Sequence, residues 1–194
     1  MEDARANGQT VRALKPVITG WSGQGSEPFD ETDTGQILNA LGLEPTPEAV
    51  DACSPFRFRE PLSPDMAATR ENRGISFDRL VGFCLEHIEK TNQNSVLFIE
   101  GVGGVMVPLT DDKTVLDWTA ALQIPAILVV GSYLGTLSHT LTAALALRSR
   151  NIVIDRVIVS ESEESPVPLA ETADVIRRHL GGVVVTRVGR GEGL

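Results

Sequence analysis

Two charged residues stand within or at the end of apolar runs. Lys15 lies inside the aliphatic run 11–18, and Glu100 ends the run 96–99. Because an unpaired charge is costly to bury, a cation should face Glu100. That cation is either Mg²⁺, held by carboxylates and substrate phosphates, or a basic side chain in a salt-bridged strand end. Lys15 either extends to solvent along a sheet edge or stabilises an anion that develops on a substrate.

A glycine-containing loop follows Glu100 directly. Gly101 and Gly103 flank Val102, and backbone without side chains allows close approach of a ligand. A dinucleotide-binding fingerprint would need a third glycine at position 106, where Met106 stands, so that motif is excluded. There is also no G-x-S-x-G nucleophile elbow.

Two weaker candidates lie further along the chain. His139 follows Gly135 at the predicted start of a helix, where it either serves a site or only lies on the helix surface. Glu161 comes at a strand end, and the acidic residues around it are typical of a solvated loop. In open α/β sheets, ligands bind beyond the carboxyl ends of the strands, which is where all of these residues are expected.

The elements that must position these residues are short apolar strands separated by helices. Five runs without clean polar alternation predict strands buried on both faces: residues 11–18, 96–101, 126–131, 156–160 and 183–188. Three- and four-residue spacing predicts helices over 77–88, 137–147 and 169–180, with Ser76 as an N-cap and Gly181-Gly182 as a stop. This order predicts a doubly wound, mostly parallel α/β sheet with helices on both faces.

The rest of the chain indicates loops within a single domain over residues 1–194. Glycines and acids in 20–33, and five prolines in 44–64, predict two long loops, which in compact domains are usually functional. Lys and Arg number 17 against 26 Asp and Glu, giving a formal charge of −9 that disfavours nucleic acid and anionic membranes as partners. The polar first residues and two isolated cysteines indicate a cytoplasmic protein without a disulfide framework or zinc site.

Four motifs, in order and with matching spacing, resemble the dethiobiotin synthetase family. They cover about residues 11 to 165: Lys15-Pro16-Val17-x-Thr19-Gly20, Glu60-Pro61-x-Ser63-Pro64, Glu100-Gly101-x-Gly103-Gly104-x-x-x-Pro108-Leu109 and Gly135-x-x-x-His139-Thr140-Leu141. That family closes the ureido ring of dethiobiotin from diaminopelargonic acid, carbon dioxide, ATP and Mg²⁺. The resemblance therefore implies a P-loop NTPase-like fold and a homodimer with its substrate site at the interface.

The resemblance also implies roles for individual residues. Lys15 matches the catalytic lysine, Thr19 matches a substrate-binding hydroxyl, and Asp33 and Glu100 match the acidic Mg²⁺ ligands. The implied nucleotide-binding set is Asp33, Glu100, Gly101, Val102, Gly103, Ser160 and Glu161. The turn with Gly135, Ser138 and His139 resembles the part of the dimer interface that receives the substrate carboxylate of the neighbouring subunit.

Several positions depart from the family pattern. Ser160-Glu161 stands where the family has an adenine-contacting Asn-Asp pair, and serine lacks the amide that both donates to and accepts from a base edge. Ser138 replaces an asparagine, and Thr186 replaces a proline.

The largest departure is at the front of the chain. The family begins with a strand and a G-x-x-x-x-G-K-[ST] phosphate loop, and this sequence contains no such motif. Residues 1–9 resemble the end of the helix that follows that loop. The loop would supply backbone N–H groups, a phosphate-binding lysine and a Mg²⁺-binding hydroxyl. We therefore expect either that Met1 is internal to a longer natural protein or that ATP-dependent catalysis is lost.

Three functions remain open from the sequence. The first is a dethiobiotin synthetase represented without its first strand. The second is a degenerate homologue that dimerises or binds substrate without turnover. The third is another P-loop relative, such as an amidotransferase or a partitioning-type ATPase, in which the Lys15 and Gly135 motifs are not expected together.

Overall fold

The computed structural model describes residues 7–23 and 29–191. The chain divides into two compact units, Met1–Trp118 and Thr119–Leu194, and the division falls within one helix. Each unit contains its own parallel strands and its own helices, so the predicted α/β class is confirmed. The prediction of a single domain over residues 1–194 stays a prediction.

The first unit contains two short parallel ladders. Strand β1 (Thr10–Leu14) pairs with β4 (Ser95–Ile99), and β2 (Val17–Ile18) pairs with β3 (Phe56–Arg57). The predicted single strand over 11–18 is therefore wrong, since the chain changes partners at Lys15 and Pro16. Proline has no N–H to continue the ladder. The register aligns Leu14 with Ile99, so the next residues, Lys15 and Glu100, emerge at the same edge.

Helices of the first unit surround these ladders and occupy part of a predicted loop. They are a 3-10 turn (Phe29–Glu31), α1 (Asp33–Leu41), α2 (Pro47–Cys53), α3 (Pro64–Arg70) and α4 (Phe77–Glu89). The loop predicted over 44–64 is wrong, because α2 and β3 lie inside it. Pro47 stands in the first turn of α2, where no N–H is needed, and the Thr46 hydroxyl accepts from Ala49 N–H at 3.2 Å.

The core of the first unit is apolar and contains both cysteines. Side chains of α1 and α2 pack with those of the strands in one cluster: Ala13, Ile18, Trp21, Ile37, Leu38, Val50 and Cys53. The predicted N-cap is confirmed, since the Ser76 hydroxyl accepts from Arg79 N–H. Cys53 and Cys84 are free and buried. Burial raises the pKa of Cys53, and raises the pKa of Cys84 to about 12, so both thiols stay protonated.

The second unit is a three-stranded parallel ladder with two helices. Strands β5 (Ala126–Val130), β6 (Ile154–Ser160) and β7 (Val184–Val188) pair in that order. Helix α5 (Val115–Leu122) leads into the unit, α6 (Thr136–Ser149) connects β5 to β6, and α7 (Leu169–Leu180) connects β6 to β7. The predicted glycine stop is confirmed, because Gly181 caps α7 and has a positive φ of 39°.

Two sequence predictions extend beyond the described residues. Residues 1–6 of the predicted N-terminal helix end, and residues 24–28 of the loop predicted over 20–33, lie outside them; residues 7 and 8 form a turn rather than a helix. No helix within the described ranges is long and apolar enough to cross a membrane.

Candidate active site

The ammonium group of Lys15 is the centre of a charged cluster at the end of β1. Its side chain is only 6% exposed, and Nζ lies 2.7 Å from Glu100 Oε1 and 2.8 Å from Asp33 Oδ2. Nζ also donates to the Gly101 carbonyl at 2.7 Å. These contacts use all three donors of an ammonium group. The cation expected opposite Glu100 is therefore Lys15, and the alternative of a solvent-directed lysine is wrong.

Asp33 is positioned by the start of α1. The Thr32 hydroxyl caps this helix by accepting from Gly35 N–H at 3.0 Å, and donates to the Phe29 carbonyl at 2.7 Å. A Cβ built on Gly35 would lie 2.2 Å from the Phe29 carbonyl oxygen, so only glycine lets the 3-10 turn pack this closely. The cap fixes the direction of α1 and thereby places the Asp33 carboxylate at Lys15.

A buried hydroxyl pair connects the same elements behind the cluster. Thr34 Oγ1 and Ser54 Oγ lie 2.8 Å apart, and both residues are fully buried. Lys15 N–H donates to the carbonyl of Cys53, the neighbour of Ser54, at 3.1 Å. These contacts fix α1 and the end of α2 to the backbone of Lys15. Sequence reasoning missed both hydroxyls, because a lone Thr and a lone Ser far apart in sequence carry no periodic signal.

The loop after Glu100 folds closely on itself. Glu100 N–H donates to the Leu14 carbonyl at 2.8 Å, which continues the β1–β4 ladder by one bond. Gly103 has a positive φ of 62°, and a Cβ there would lie 2.8 Å from Val107 Cγ2. Val102 is buried. The glycine at 103 is thus required by the folding of the loop itself, while Gly101 contributes its carbonyl to Lys15.

The electrostatics of the cluster favour a cation. One buried ammonium faces two carboxylates whose side chains are 49% and 54% exposed, leaving a formal charge of −1 at the opening to solvent. Their oxygens converge on one point of positive charge, as the ligands of a small divalent ion do. No group of three or more His, Cys, Asp or Glu residues that could hold a metal was found in the part of the chain that the structure describes. A metal here would take its other ligands from water or phosphate oxygens.

Thr19 lies just beyond β2 in the same unit. It is half-buried, and the next residue, Gly20, turns the chain with a φ of 72° and donates its N–H to the Glu60 carbonyl at 3.2 Å. The structure thus brings Lys15 into direct contact with Asp33, Glu100 and Gly101. Thr19 follows the strand that begins after Pro16.

The second unit brings Gly135, Ser138 and His139 to the first turns of α6. Gly135 caps the helix with a φ of 100°, a conformation that favours glycine, and its carbonyl accepts from His139 N–H at 3.1 Å. Tyr133 Oη lies 2.9 Å from His139 Nδ1, a partner that sequence reasoning missed. A cavity of about 390 Å³ opens beside this turn, lined by Tyr133, Leu134, Glu164, Ser165 and Pro166.

At the end of β6, Ser160 and Glu161 have different surroundings from those expected of a solvated loop. Glu161 N–H donates to the Val188 carbonyl at 2.9 Å, and its carboxylate accepts from Arg190 N–H at 3.0 Å. The side chain of Glu161 therefore holds the backbone that follows β7. Ser160 is half-buried as the last residue of β6.

The parallel α/β fold places an ammonium and two carboxylates beyond the ends of its strands, where proteins of this fold class bind their ligands. A family model described as an AAA domain matches residues 3–192.

Several relatives that match most of this chain are named ATP-dependent dethiobiotin synthetase BioD. The Methylobacterium nodulans protein is 44% identical over 97% of this chain and 84% of its own length. The Acidiphilium cryptum protein is 47% identical over 91% of this chain and 78% of its own length. The Phenylobacterium zucineum protein is 42% identical over 93% of this chain and 76% of its own length. The chain therefore belongs to the dethiobiotin synthetase family, and the resemblance read from the motifs is confirmed.

Proposed function

We propose that this chain acts as an ATP- and Mg²⁺-dependent dethiobiotin synthetase. In the proposed reaction, one amine of diaminopelargonic acid captures carbon dioxide as a carbamate. ATP phosphorylates the carbamate, releasing ADP, and the second amine then displaces phosphate to close the ureido ring. The observation that carries the proposal is the contact of Lys15 with Asp33 and Glu100, in a chain of this family.

Lys15 is the proposed catalytic residue. Phosphoryl transfer depends mainly on positioning and on neutralising the charge that develops on the phosphoryl oxygens. A buried ammonium retains more of its electrostatic effect than one in water, because solvent screens it less. The Lys15 side chain is 6% exposed and its backbone N–H is bonded to the Cys53 carbonyl. Such a fixed positive charge suits an anionic carbamate and the phosphoryl group transferred to it.

Asp33 and Glu100 are the proposed Mg²⁺ ligands. The fit rests on the Lys15 ammonium, a cation that both carboxylates already hold at 2.7–2.8 Å. When bound, Mg²⁺ would neutralise phosphate charge, and the two carboxylates would orient it. The backbone of Gly101, Val102 and Gly103 is proposed to lie near the nucleotide. The adenine-recognition roles of Ser160 and Glu161 stay predictions.

Substrate binding and dimerisation are proposed from both units separately. Thr19 would bind substrate in the first unit, and Gly135, Ser138 and His139 would receive a substrate carboxylate in the second. The positive end of the helix dipole lies at the start of α6 and favours an anion. Leu134, just before this helix, is 87% exposed, and Leu145, within it, is 70% exposed. These exposed apolar side chains support contact with a second copy of the chain. A cytoplasmic location is supported by the free thiols.

The test is product formation by the natural protein purified from its own cells, so that any residues of a longer natural chain are present. Purified protein is incubated with diaminopelargonic acid, bicarbonate, ATP and Mg²⁺, and dethiobiotin is measured by mass spectrometry. We expect product that requires every component, with one ADP formed per dethiobiotin. ATP hydrolysis that diaminopelargonic acid does not stimulate would favour another P-loop activity. A dimer that binds diaminopelargonic acid but forms no product would favour the non-catalytic homologue.

A further inference from the structure

The Lys15 ammonium holds the same carboxylates that the proposed function assigns to the metal. Nζ lies 2.8 Å from Asp33 Oδ2 and 2.7 Å from Glu100 Oε1. We propose that Lys15 competes with the divalent cation for these carboxylates, and that cation binding releases its ammonium towards the anionic substrate. This inference rests on the proposed metal ligands, and it adds a coupling between metal binding and the position of the catalytic lysine.

Competition follows from charge and burial. An ammonium retained at its present position would be within a few ångströms of a divalent ion held by the same two carboxylates. Two cations so close repel each other, and little solvent screens the Lys15 side chain, which is 6% exposed. Asp33 and Glu100, by contrast, are about half exposed, so an ion can reach them from solvent without the core opening.

The surroundings of Lys15 allow its head group to move while its backbone stays in place. The backbone lies between β1 and β2, and its N–H is bonded to the Cys53 carbonyl at 3.1 Å. Of the three acceptors of Nζ, two are carboxylates and one is the neutral Gly101 carbonyl, at 2.7 Å. Loss of both carboxylates leaves the Gly101 carbonyl as a pivot. The ammonium then keeps one bond and presents its other two donors to an anionic oxygen.

Competition has to be distinguished from a second arrangement, because each carboxylate has a second oxygen. Asp33 Oδ1 and Glu100 Oε2 could bind the ion while Lys15 keeps its present bonds. Lys15 would then orient the two ligands, and its removal would weaken metal binding. The two arrangements therefore predict opposite changes in metal affinity when the ammonium is removed.

The experiment measures Mn²⁺ binding to the full chain, without nucleotide, by the electron paramagnetic resonance signal of free Mn²⁺. Lys15→Met should lower the dissociation constant by at least about tenfold, the factor that corresponds to ~1.4 kcal/mol. Lys90→Met, which removes an exposed lysine at the end of α4, is the matched control and should leave the constant unchanged. Displacement of Mn²⁺ by Mg²⁺ should follow the same order.

Asp33→Asn and Glu100→Gln separate this inference from the proposed function. If both variants weaken Mn²⁺ binding but Lys15→Met leaves it unchanged or weaker, the competition is wrong and the metal ligands stand. If neither acid variant changes Mn²⁺ binding in the wild-type or Lys15→Met background, the metal assignment is wrong and the competition falls with it. Tighter binding by Lys15→Met that is lost on adding Asp33→Asn supports both.

A second measurement uses the wild-type chain and does not depend on the folding of a variant. The protons of a buried, hydrogen-bonded lysine ammonium exchange slowly with water, whereas those of exposed Lys90 exchange faster. The NMR signal of Lys15 is therefore distinguishable from that of Lys90. Titration with Mg²⁺ should shift or broaden the Lys15 signal and leave that of Lys90 in place. A Lys15 signal that is unchanged when Mg²⁺ saturates the chain would overturn the proposal.

Discussion

In each unit, residues that follow two strands contact each other, but the two units use different chemical groups for this contact. In Met1–Trp118, the residues after β1 and β4 meet through the charged contact of Lys15 with Glu100. In Thr119–Leu194, the loops after β5 and β6 meet through neutral hydroxyls. There, Ser132 N–H donates to Ser162 Oγ at 3.0 Å, and Ser162 N–H donates to Ser132 Oγ at 2.9 Å. The same position in a parallel ladder thus holds ions in one unit and hydroxyls in the other.

The distribution of charge along the chain follows this difference. Residues 119–194 contain 7 Lys and Arg and 7 Asp and Glu, so the whole formal charge of −9 falls on residues 1–118. A charged contact can be rearranged by an incoming cation, because both its members have alternative ionic partners. The reciprocal serine bonds join neutral groups, so an incoming cation has no salt bridge to displace there. The charged contact and the acidic excess both favour the first unit as the place of the proposed metal site.

The largest effect should come from neutralising the acid that ends β4. Glu100→Gln keeps the shape of the side chain but removes the charge that Lys15 contacts and that the metal would need. We expect kcat to fall at least about 100-fold, or ~2.7 kcal/mol of transition-state stabilisation. Steady-state assays with varied Mg²⁺ measure this. Glu163→Gln, on an exposed glutamate of the second unit, is the matched control and should retain activity. Equal kcat in Glu100→Gln and the wild type would remove Glu100 from the site.

Next in size is the effect of a methyl group at the start of α1. In Gly35→Ala, Cβ would lie 2.2 Å from the Phe29 carbonyl oxygen, so the 3-10 turn or the helix must shift. We expect a loss of about 2.5 kcal/mol in the free energy of unfolding, towards the upper end for overpacking, and weaker Mn²⁺ binding through Asp33. Urea unfolding and Mn²⁺ titration measure the two effects.

Gly82→Ala provides the control for this substitution. Gly82 lies within α4 with open space at its Cβ position, so alanine should stabilise the chain by about 0.5–1 kcal/mol. A Gly35→Ala chain as stable as the wild type would contradict the tight turn, and with it the account of how Asp33 is placed.

A smaller effect is expected from removing one buried hydroxyl in each unit. Ser54→Ala leaves Thr34 Oγ1 without its partner, and Ser132→Ala leaves the Ser162 N–H without its own. Each should cost about 2 kcal/mol, since an unsatisfied buried polar group loses its hydration as well as its bond. Urea unfolding checks both.

Metal binding separates the two hydroxyl variants. Ser54→Ala should also weaken Mn²⁺ binding, because Ser54 is bonded to the neighbour of Asp33, whereas Ser132→Ala should not. If Thr34→Ser, which keeps the hydroxyl, binds Mn²⁺ as weakly as Thr34→Val, the hydroxyl bond does not position Asp33.

The smallest effect concerns the pH dependence of stability near α4. Partial burial, and then the positive charge of Arg12, lower the pKa of His87 from its usual 6.5. Arg12 Nη2 donates to Nδ1 of the neutral ring at 3.2 Å, a contact that protonation would break. The unfolded state therefore takes up the proton at higher pH, so stability is full above about pH 6.5 and decreases as the pH falls below it. Urea midpoints between pH 7.5 and 5.5 should show a shallower slope for His87→Gln; an identical slope would contradict this sign.

The sequence was most informative where a residue type conflicted with its surroundings. Lys15 and Glu100 stand out because charges rarely occupy apolar strands, and the structure brings them together. Asp33 gives no such signal, and only the family motif pointed to it. The loop around Glu161 is predicted to be solvated, and this is wrong for Glu161 itself because its partner, the Arg190 N–H, comes from a distant part of the chain. Helix α2 was missed because the prolines of 44–64 were counted as helix breakers, although Pro47 stands in the first turn of the helix, where no N–H is needed.

The most direct test of the account is the turnover of Lys15→Met beside that of Lys90→Met. A single turnover, with enzyme in excess over diaminopelargonic acid and with ATP, bicarbonate and Mg²⁺ saturating, isolates the chemical steps. We expect dethiobiotin formation to slow at least about 100-fold in Lys15→Met, while Lys90→Met reacts at the wild-type rate. All three proteins should show the same far-ultraviolet circular dichroism. A Lys15→Met chain that forms dethiobiotin at the wild-type rate would contradict the central claim that this ammonium, between Asp33 and Glu100, carries the chemistry.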